Sequence, residues 1–308
     1  MSNQVLDFQR INQTIDIDKM NQSHVVIVGG AYGLANSLAR CGIGEITLID
    51  FDRIDDSNPA RQDLDYADRG YLKIQAAAYQ IRRVNPYTKV NCQACDFCSI
   101  PRKTFDHLLG AADLFVMATD FFPAQARGNV ESLRLGKPGL FIGMYAEGRA
   151  GEIIYHIPDG PTKACFRCIA SSRYRAFMNQ QGGLTIPSTG GTIFDMHLVD
   201  AVAGQICVGI LTRGSDNRMG RLIDQLGDRN LLQVKIDPTY RLGGKDIFSQ
   251  YLGDNPAHFS FNTIALSMEP EDDCPDCSEF RKNTTDGPDP NTQAPELRKE
   301  ISDGEDPS

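Results

Sequence analysis

HVVIVGGAYG, at residues 24–33, decides how the chain is read. The short β-branched run at 24–28, bounded by glycines, reads as a buried strand. Gly29-Gly30-Ala31-Tyr32-Gly33 follows as a glycine-rich turn into a short helix over 35–41. Glycines at Gly29, Gly30 and Gly33 let a main chain approach a phosphate, and a helix N-terminus adds unpaired N–H groups. Working outward, EITLIDF at 45–51 is a second strand, and 71–84 is a helix with Ile74, Ala78 and Ile81 on one face. Asn85-Pro86 ends that helix, because the residue before proline is driven out of the α region. Further strands are expected at 89–94, 113–118 and 138–143. Strands alternating with helices imply a mainly parallel sheet with right-handed crossovers, an α/β, Rossmann-like fold.

Asp50 ends the second strand roughly 20 residues beyond the turn, where an acidic side chain accepts hydrogen bonds from a ribose hydroxyl. The generic expectation is a domain for NAD or an adenine nucleotide. Beyond residue 144 the pattern changes. Residues 151–156 read as an added strand, 180–192 as a mobile loop rich in Gly, Ser and Thr, and Ile193–Leu211 as a long helix. Residues 281–308 hold only Ala294, Leu297 and Ile301 as apolar side chains and are expected to be disordered. The division expected is an N-terminal segment over 1–23, one domain over 24–280 and the tail. No internal repeat is present.

The 308 residues are 41% hydrophobic, enough for a sizeable core. A formal charge of −9 argues against nucleic-acid and anionic-membrane partners, which need a basic surface. No unbroken apolar run approaches ~20 residues. Asp7 and Arg10 interrupt the region where a secretory leader would be apolar. A soluble, cytoplasmic protein is expected. Nine cysteines then point to metal rather than disulfides. Cys165/Cys168 and Cys274/Cys277 are two CxxC pairs; Cys92, Cys95 and Cys98 read as small packed thiols. His24, His107, His156 and His197 have no motif context and read as structural, and His258 has no assigned role.

An ordered series follows the second strand: Asp50-Phe51-Asp52, then Ser57-Asn58-Pro59-Ala60-Arg61-Gln62, Gly70-Tyr71-Leu72-Lys73, and Val84-Asn85-Pro86. It continues through Ala118-Thr119-Asp120, Arg127, Gly151-Glu152-Ile153 and both CxxC pairs. Over about residues 24–277 this closely resembles the ThiF/MoeB/HesA family of ubiquitin-activating-type adenylyltransferases. The resemblance implies adenylation of a C-terminal carboxylate by ATP with Mg²⁺. Two anions must meet in that reaction, so the site needs positive charge and a metal. Arg61, Lys73 and Asp120 are implied as catalytic: Arg61 and Lys73 neutralise phosphates and Asp120 holds Mg²⁺. Asn58 is implied as a hydrogen-bond donor, Asp50 as the ribose ligand and Asp52 as a helper in placing metal or nucleotide. Cys165, Cys168, Cys274 and Cys277 are implied as one closed, structural Zn²⁺ site that pins the C-terminal segment. Arg127 is a further candidate, and Arg10 one for a neighbouring subunit's site. A homodimer is implied, with Ile193–Leu211 as a suitable apolar helix.

Three departures from the family stand out. The segment from Gly29 to Gly42 is short, and the full G-x-G-x-x-G is lost. Phe121 follows Asp120 where the family usually has asparagine. No cysteine occurs between Cys168 and Cys207, where thioester-forming members carry one. Thr189 stands near that position, but its hydroxyl lacks a low-pKa anion and a visible base. Adenylation without a loop thioester is therefore expected, on a ubiquitin-like protein. The alternatives are a short peptide's C-terminus, as in microcin maturation, or a non-catalytic scaffold.

Overall fold

The computed structural model describes residues 6–179, 190–253, 255 and 258–278. The chain opens with α1 (Ile17–Gln22), β1 (His24–Gly29), α2 (Tyr32–Arg40) and β2 (Glu45–Ile49). Then come α3 (Lys73–Val84), β3 (Lys89–Gln93), α4 (Arg102–Leu109), β4 (Leu114–Ala118), α5 (Phe122–Arg134) and β5 (Gly139–Met144). The second half holds β6 (Ala150–His156), α6 (Phe166–Ile169), α7 (Ser171–Met178), α8 (Ile193–Leu211) and α9 (Leu222–Leu226). It ends with β7 (Arg229–Lys235), α10 (Ile247–Leu252) and β8 (Asn262–Ser267).

These strands form one sheet in the order β3-β2-β1-β4-β5-β6-β7-β8. From β3 to β5 the pairing is parallel; β6, β7 and β8 add antiparallel. Strand β1 is central and buried on both faces, which is why it reads as a continuous β-branched run. Val25 and Ile27 face a core shared with α2, α3 and α8, while Val26 and Val28 face one shared with α4 and α5. Ile15 and Met20 of the N-terminal segment join the first of these cores.

The five parallel strands, α2 and α3 follow the sequence expectation to within a few residues, whereas α4 and α5 carry none. Helix α2 starts at Tyr32 rather than at 35, because Tyr32 and Gly33, read as turn, form its first turn. Strands β7 and β8 carry no expectation from sequence; in β7, apolar Leu231, Leu232 and Val234 are interrupted by polar Asn230 and Gln233, all of them buried. Helix α8 matches its expected span and starts with a Thr192–Asp195 capping box. By length and composition it could cross a membrane, with mean hydropathy 1.5, but it packs on α2, β5 and β6. Its longest apolar run, Ala201–Leu211, is short and contains Gln205, so it does not stand out as a membrane span in the sequence. Of the expected loop at 180–192, residues 180–189, with Thr189, lie outside the described residues, as does the tail at 281–308; Thr192 is the N-cap of α8.

Candidate functional site

Strand order reverses between β1 and β4, and a cavity of about 620 Å³ opens at their C-terminal ends. Open α/β sheets bind ligands at such switch points. Gly29, with φ of 92°, makes the exit from β1; a Cβ there would collide with the Ala118 carbonyl. Gly30 N–H donates to that same oxygen at 3.0 Å, fixing the turn against β4.

Asp50 leaves β2 into the cavity wall. Its Oδ2 accepts from the Tyr32 hydroxyl at 2.6 Å and its Oδ1 from the Asp52 N–H at 2.9 Å. Burial and the neighbouring Asp50 carboxylate hold the Tyr32 phenol well above its usual range, so it stays a donor. Lys73, at the start of α3, is almost enclosed and places Nζ 2.9 Å from Asp52 Oδ2. Asn58 is buried in a 3₁₀ turn, its Oδ1 accepting from the Asp55 N–H at 3.0 Å. Arg61 closes that turn, and Asp120 stands exposed beyond β4; both border the cavity.

Sequence reasoning quoted Tyr32 and Gln62 within motifs without giving them a role, and missed Asp63, Gln125 and Asp200. Against Gly33 lie the carboxylates of Asp63 and Asp200, the latter within 3.0 Å of where a Cβ would stand. Asp200 accepts a hydrogen bond from the Leu34 N–H, so the first turn of α2 is already capped by a carboxylate where a phosphate was expected. Burial first, then the Asp63 charge, push Asp200 up to about 7. His197, read as structural, bonds Asp63 at 2.9 Å and so borders the site. An aspartate one helical turn from His197 on α8 was the available signal.

Arg127 does not border the cavity. Its guanidinium donates to the carbonyls of Phe97 (2.7 Å), Cys98 and Ile100 (both 2.5 Å) and lies over Phe97 and Phe105. It fixes the segment between β3 and α4 instead of meeting ligand. Cys92, Cys95 and Cys98 are half-buried rather than fully packed, and Cys95 reaches the cavity wall. Burial raises the Cys98 thiol to about 12. His24 and His156 are structural as expected, on Thr47 (2.9 Å) and Ser132 (3.1 Å). Arg10 lies exposed on an N-terminal turn, outside this cavity.

On the far side of α5 the two CxxC pairs meet. All four Sγ atoms are buried and lie within 4.8 Å of one another, so the group could hold a metal ion. Separations of 3.8 Å (Cys165–Cys168), 3.7 Å (Cys165–Cys274) and 3.5 Å (Cys168–Cys277) fit the edges of a tetrahedron. With metal–sulfur bonds of about 2.3 Å that edge is roughly 3.8 Å. Asn129 of α5 spans both pairs: Nδ2 donates to Asp276 at 2.7 Å and Oδ1 accepts from the Phe166 N–H at 3.1 Å. Arg167 completes the link, 3.1 Å from Asp276.

A match to the ThiF family spans residues 1–213. The chain belongs to that family. Among curated ThiF-type relatives, Ubiquitin-like modifier-activating enzyme 5 of Rattus norvegicus is 26% identical over 223 residues, 63% of this chain and 54% of that one. Adenylyltransferase and sulfurtransferase MOCS3 of Drosophila sechellia is 29% identical over 211 residues, 67% of this chain and 44% of that one. The chain thus spans about half the length of the curated relatives it matches. Among solved structures, E. coli MccB crystallised with ATP shares the fold, with a TM-score of 0.60 at 19% identity over 85% of this chain and 68% of that one. PaaA gives 0.53 at 18% identity, over 87% and 85%. In this ThiF-family chain, Asp50, Asn58, Arg61, Lys73 and Asp120, scattered along the sequence, border a single cavity.

Proposed function

We propose that this chain is an ATP- and Mg²⁺-dependent adenylyltransferase acting on the C-terminal carboxylate of a ubiquitin-like protein. One observation carries the reading: two cations, two carboxylates and an amide of the family series, Arg61, Lys73, Asp50, Asp120 and Asn58, line one switch-point cavity. In the reaction a carboxylate oxygen of the substrate attacks the α-phosphorus of ATP. The bond from that phosphorus to the bridging oxygen breaks, and pyrophosphate leaves with the electron pair. Asp50 orients the ribose, and its contact with Tyr32 keeps the carboxylate aimed. Lys73 and Arg61 offset charge that grows on the departing phosphates. The exposed Asp120 carboxylate is a hard oxygen donor suited to Mg²⁺, which supplies Lewis-acid stabilisation when bound. The four thiols suit Zn²⁺ with no open position, a structural role.

The sequence between Cys168 and Cys207 has no cysteine, so the acyl-adenylate passes directly to an acceptor rather than to a loop thiolate. That feature equally favours a short peptide as the substrate. A homodimer is supported by α8, an apolar helix on which Leu198 and Val202 are only partly buried and Phe194 is 79% exposed. A cytoplasmic setting is proposed from the free thiols.

The test is calorimetric titration of Mg·ATP, with NAD as comparator, into the protein and Asp120→Ala, followed by ATP–pyrophosphate exchange with Gly-Gly-terminated proteins and peptides. Binding of ATP but not NAD, weakened by the substitution, and substrate-dependent exchange support the reading. A folded, metal-loaded protein that binds no ATP overturns it in favour of a scaffold.

A further inference from the structure

Gln125 is an unassigned polar residue in the cavity wall. It lies on α5, is 2% exposed, and its Nε2 donates to the Thr119 carbonyl at 2.8 Å. Among the described residues its Oε1 has no hydrogen-bond partner. Turning the amide over would set two carbonyl oxygens against each other, so Thr119 fixes which atom is left over. A buried acceptor left unpaired is uncommon and calls for a donor.

The cavity itself narrows the choice of donor. Its walls divide between the two faces of the sheet. Ile142, Met144 and Met196 stand on the β5–α8 side. Val28, Ile49, Phe97 and Ala124 belong to the core on the α5 side, next to Gln125. Ile49 immediately precedes Asp50, the acceptor placed for ribose, so a base attached to that sugar enters the apolar slot on the α5 side. A flat heterocycle buries its faces against such walls and must satisfy its polar edge. Asp96, also in the wall, already commits Oδ1 to the Cys98 N–H at 2.8 Å.

We infer that Gln125 is a specificity residue for the nucleotide base, its Oε1 accepting from the exocyclic amine of adenine. The inference rests on the proposed nucleotide site. Guanine carries an oxygen at the corresponding position and would set acceptor against acceptor, an arrangement a polar site rejects.

The experiment is calorimetric binding, with Mg²⁺, of ATP, purine riboside triphosphate (no amine) and N6,N6-dimethyl-ATP (no donor) to the full chain and to Gln125→Met. The wild-type protein should prefer ATP over both analogues by about tenfold, the scale of one hydrogen bond. Gln125→Met, checked for folding by its melting transition, should bind all three alike and near the wild-type level for the analogues. Equal affinity of the wild-type protein for the three nucleotides overturns the inference and leaves the nucleotide site standing. A Gln125→Met protein that keeps the preference does the same. Failure of the wild-type protein to bind any nucleotide removes the site and the inference together. The wild-type comparison decides the matter even if the variant does not fold.

Discussion

Lys73 Nζ and Asp52 Oδ2 are 2.9 Å apart at the cavity edge, the lysine almost enclosed and the aspartate half-exposed. The carboxylate holds the ammonium at the start of α3 in a fixed place. An anion entering the cavity therefore meets a positioned cation rather than a flexible one.

Lys73→Met should lower ATP–pyrophosphate exchange by about a hundredfold, the scale for removing one donor to developing charge. Asp52→Asn keeps the cation but loosens its placement, and should cost about tenfold less. Exchange rates at saturating ATP order the two variants. The reverse order would make Asp52 the group that acts on the nucleotide.

Asp200 makes stability depend on pH. Burial beside Asp63 raises its folded pKa to about 7 from 3.8, so between those values the folded chain keeps a proton that the unfolded chain releases. Stability from this group therefore falls as pH rises through that window, and is lowest above pH 7. Asp200→Asn should be more stable than the wild-type protein at pH 8. Its advantage should exceed that at pH 5.5 by about 1–2 kcal/mol. Urea titrations at the two pH values measure it; an advantage independent of pH would place the carboxylate in water.

The four-cysteine group should bind one zinc per chain, read by native mass spectrometry, and a chelator should lower the melting temperature. Asn129→Leu leaves the buried Asp276 carboxylate without its amide donor. It should cost about 1–3 kcal/mol and speed zinc release to a chromophoric chelator. Unchanged release kinetics would confine Asn129 to holding Phe166.

Gly29→Ala forces a Cβ against the Ala118 carbonyl at a φ of 92°. It should destabilise the protein by about 1–3 kcal/mol and weaken Mg·ATP binding. Thermal denaturation and titration calorimetry separate the two effects.

Strands β1, β2 and β4 were legible because they are buried on both faces, and α3 because it carries one apolar stripe, patterns that survive as runs and periods in sequence. Strands β7 and β8 were not: the buried polar residues of β7 are satisfied by partners elsewhere in the chain, and β8 buries only Ile264, too little for a run or an alternation to show. Asn230, for instance, donates to the carbonyls of Tyr155 and Ala164. In the site, Asp50, Arg61 and Lys73 were readable as an ordered series. Arg127 belonged to the same series, yet its carbonyl partners 27–30 residues away make it a clamp. Tyr32 and Gln125 left no local signal, and Asp200 only its spacing from His197, because their importance comes from where β1, α5 and α8 meet. Gly33 read as a phosphate turn because nothing adjacent in sequence announces the carboxylates that cover it.

Helix α5 begins beside Asp120 and carries Asn129 to the cysteine pairs. It therefore works as a ruler. One residue inserted between those two positions would rotate Asn129 by about 100° and advance it by about 1.5 Å. The asparagine would then leave Asp276, whereas Asp120 would keep its place at the end of β4. Length changes are tolerable in the loops of this chain, but within this stretch the residue count is as constrained as the residue identities.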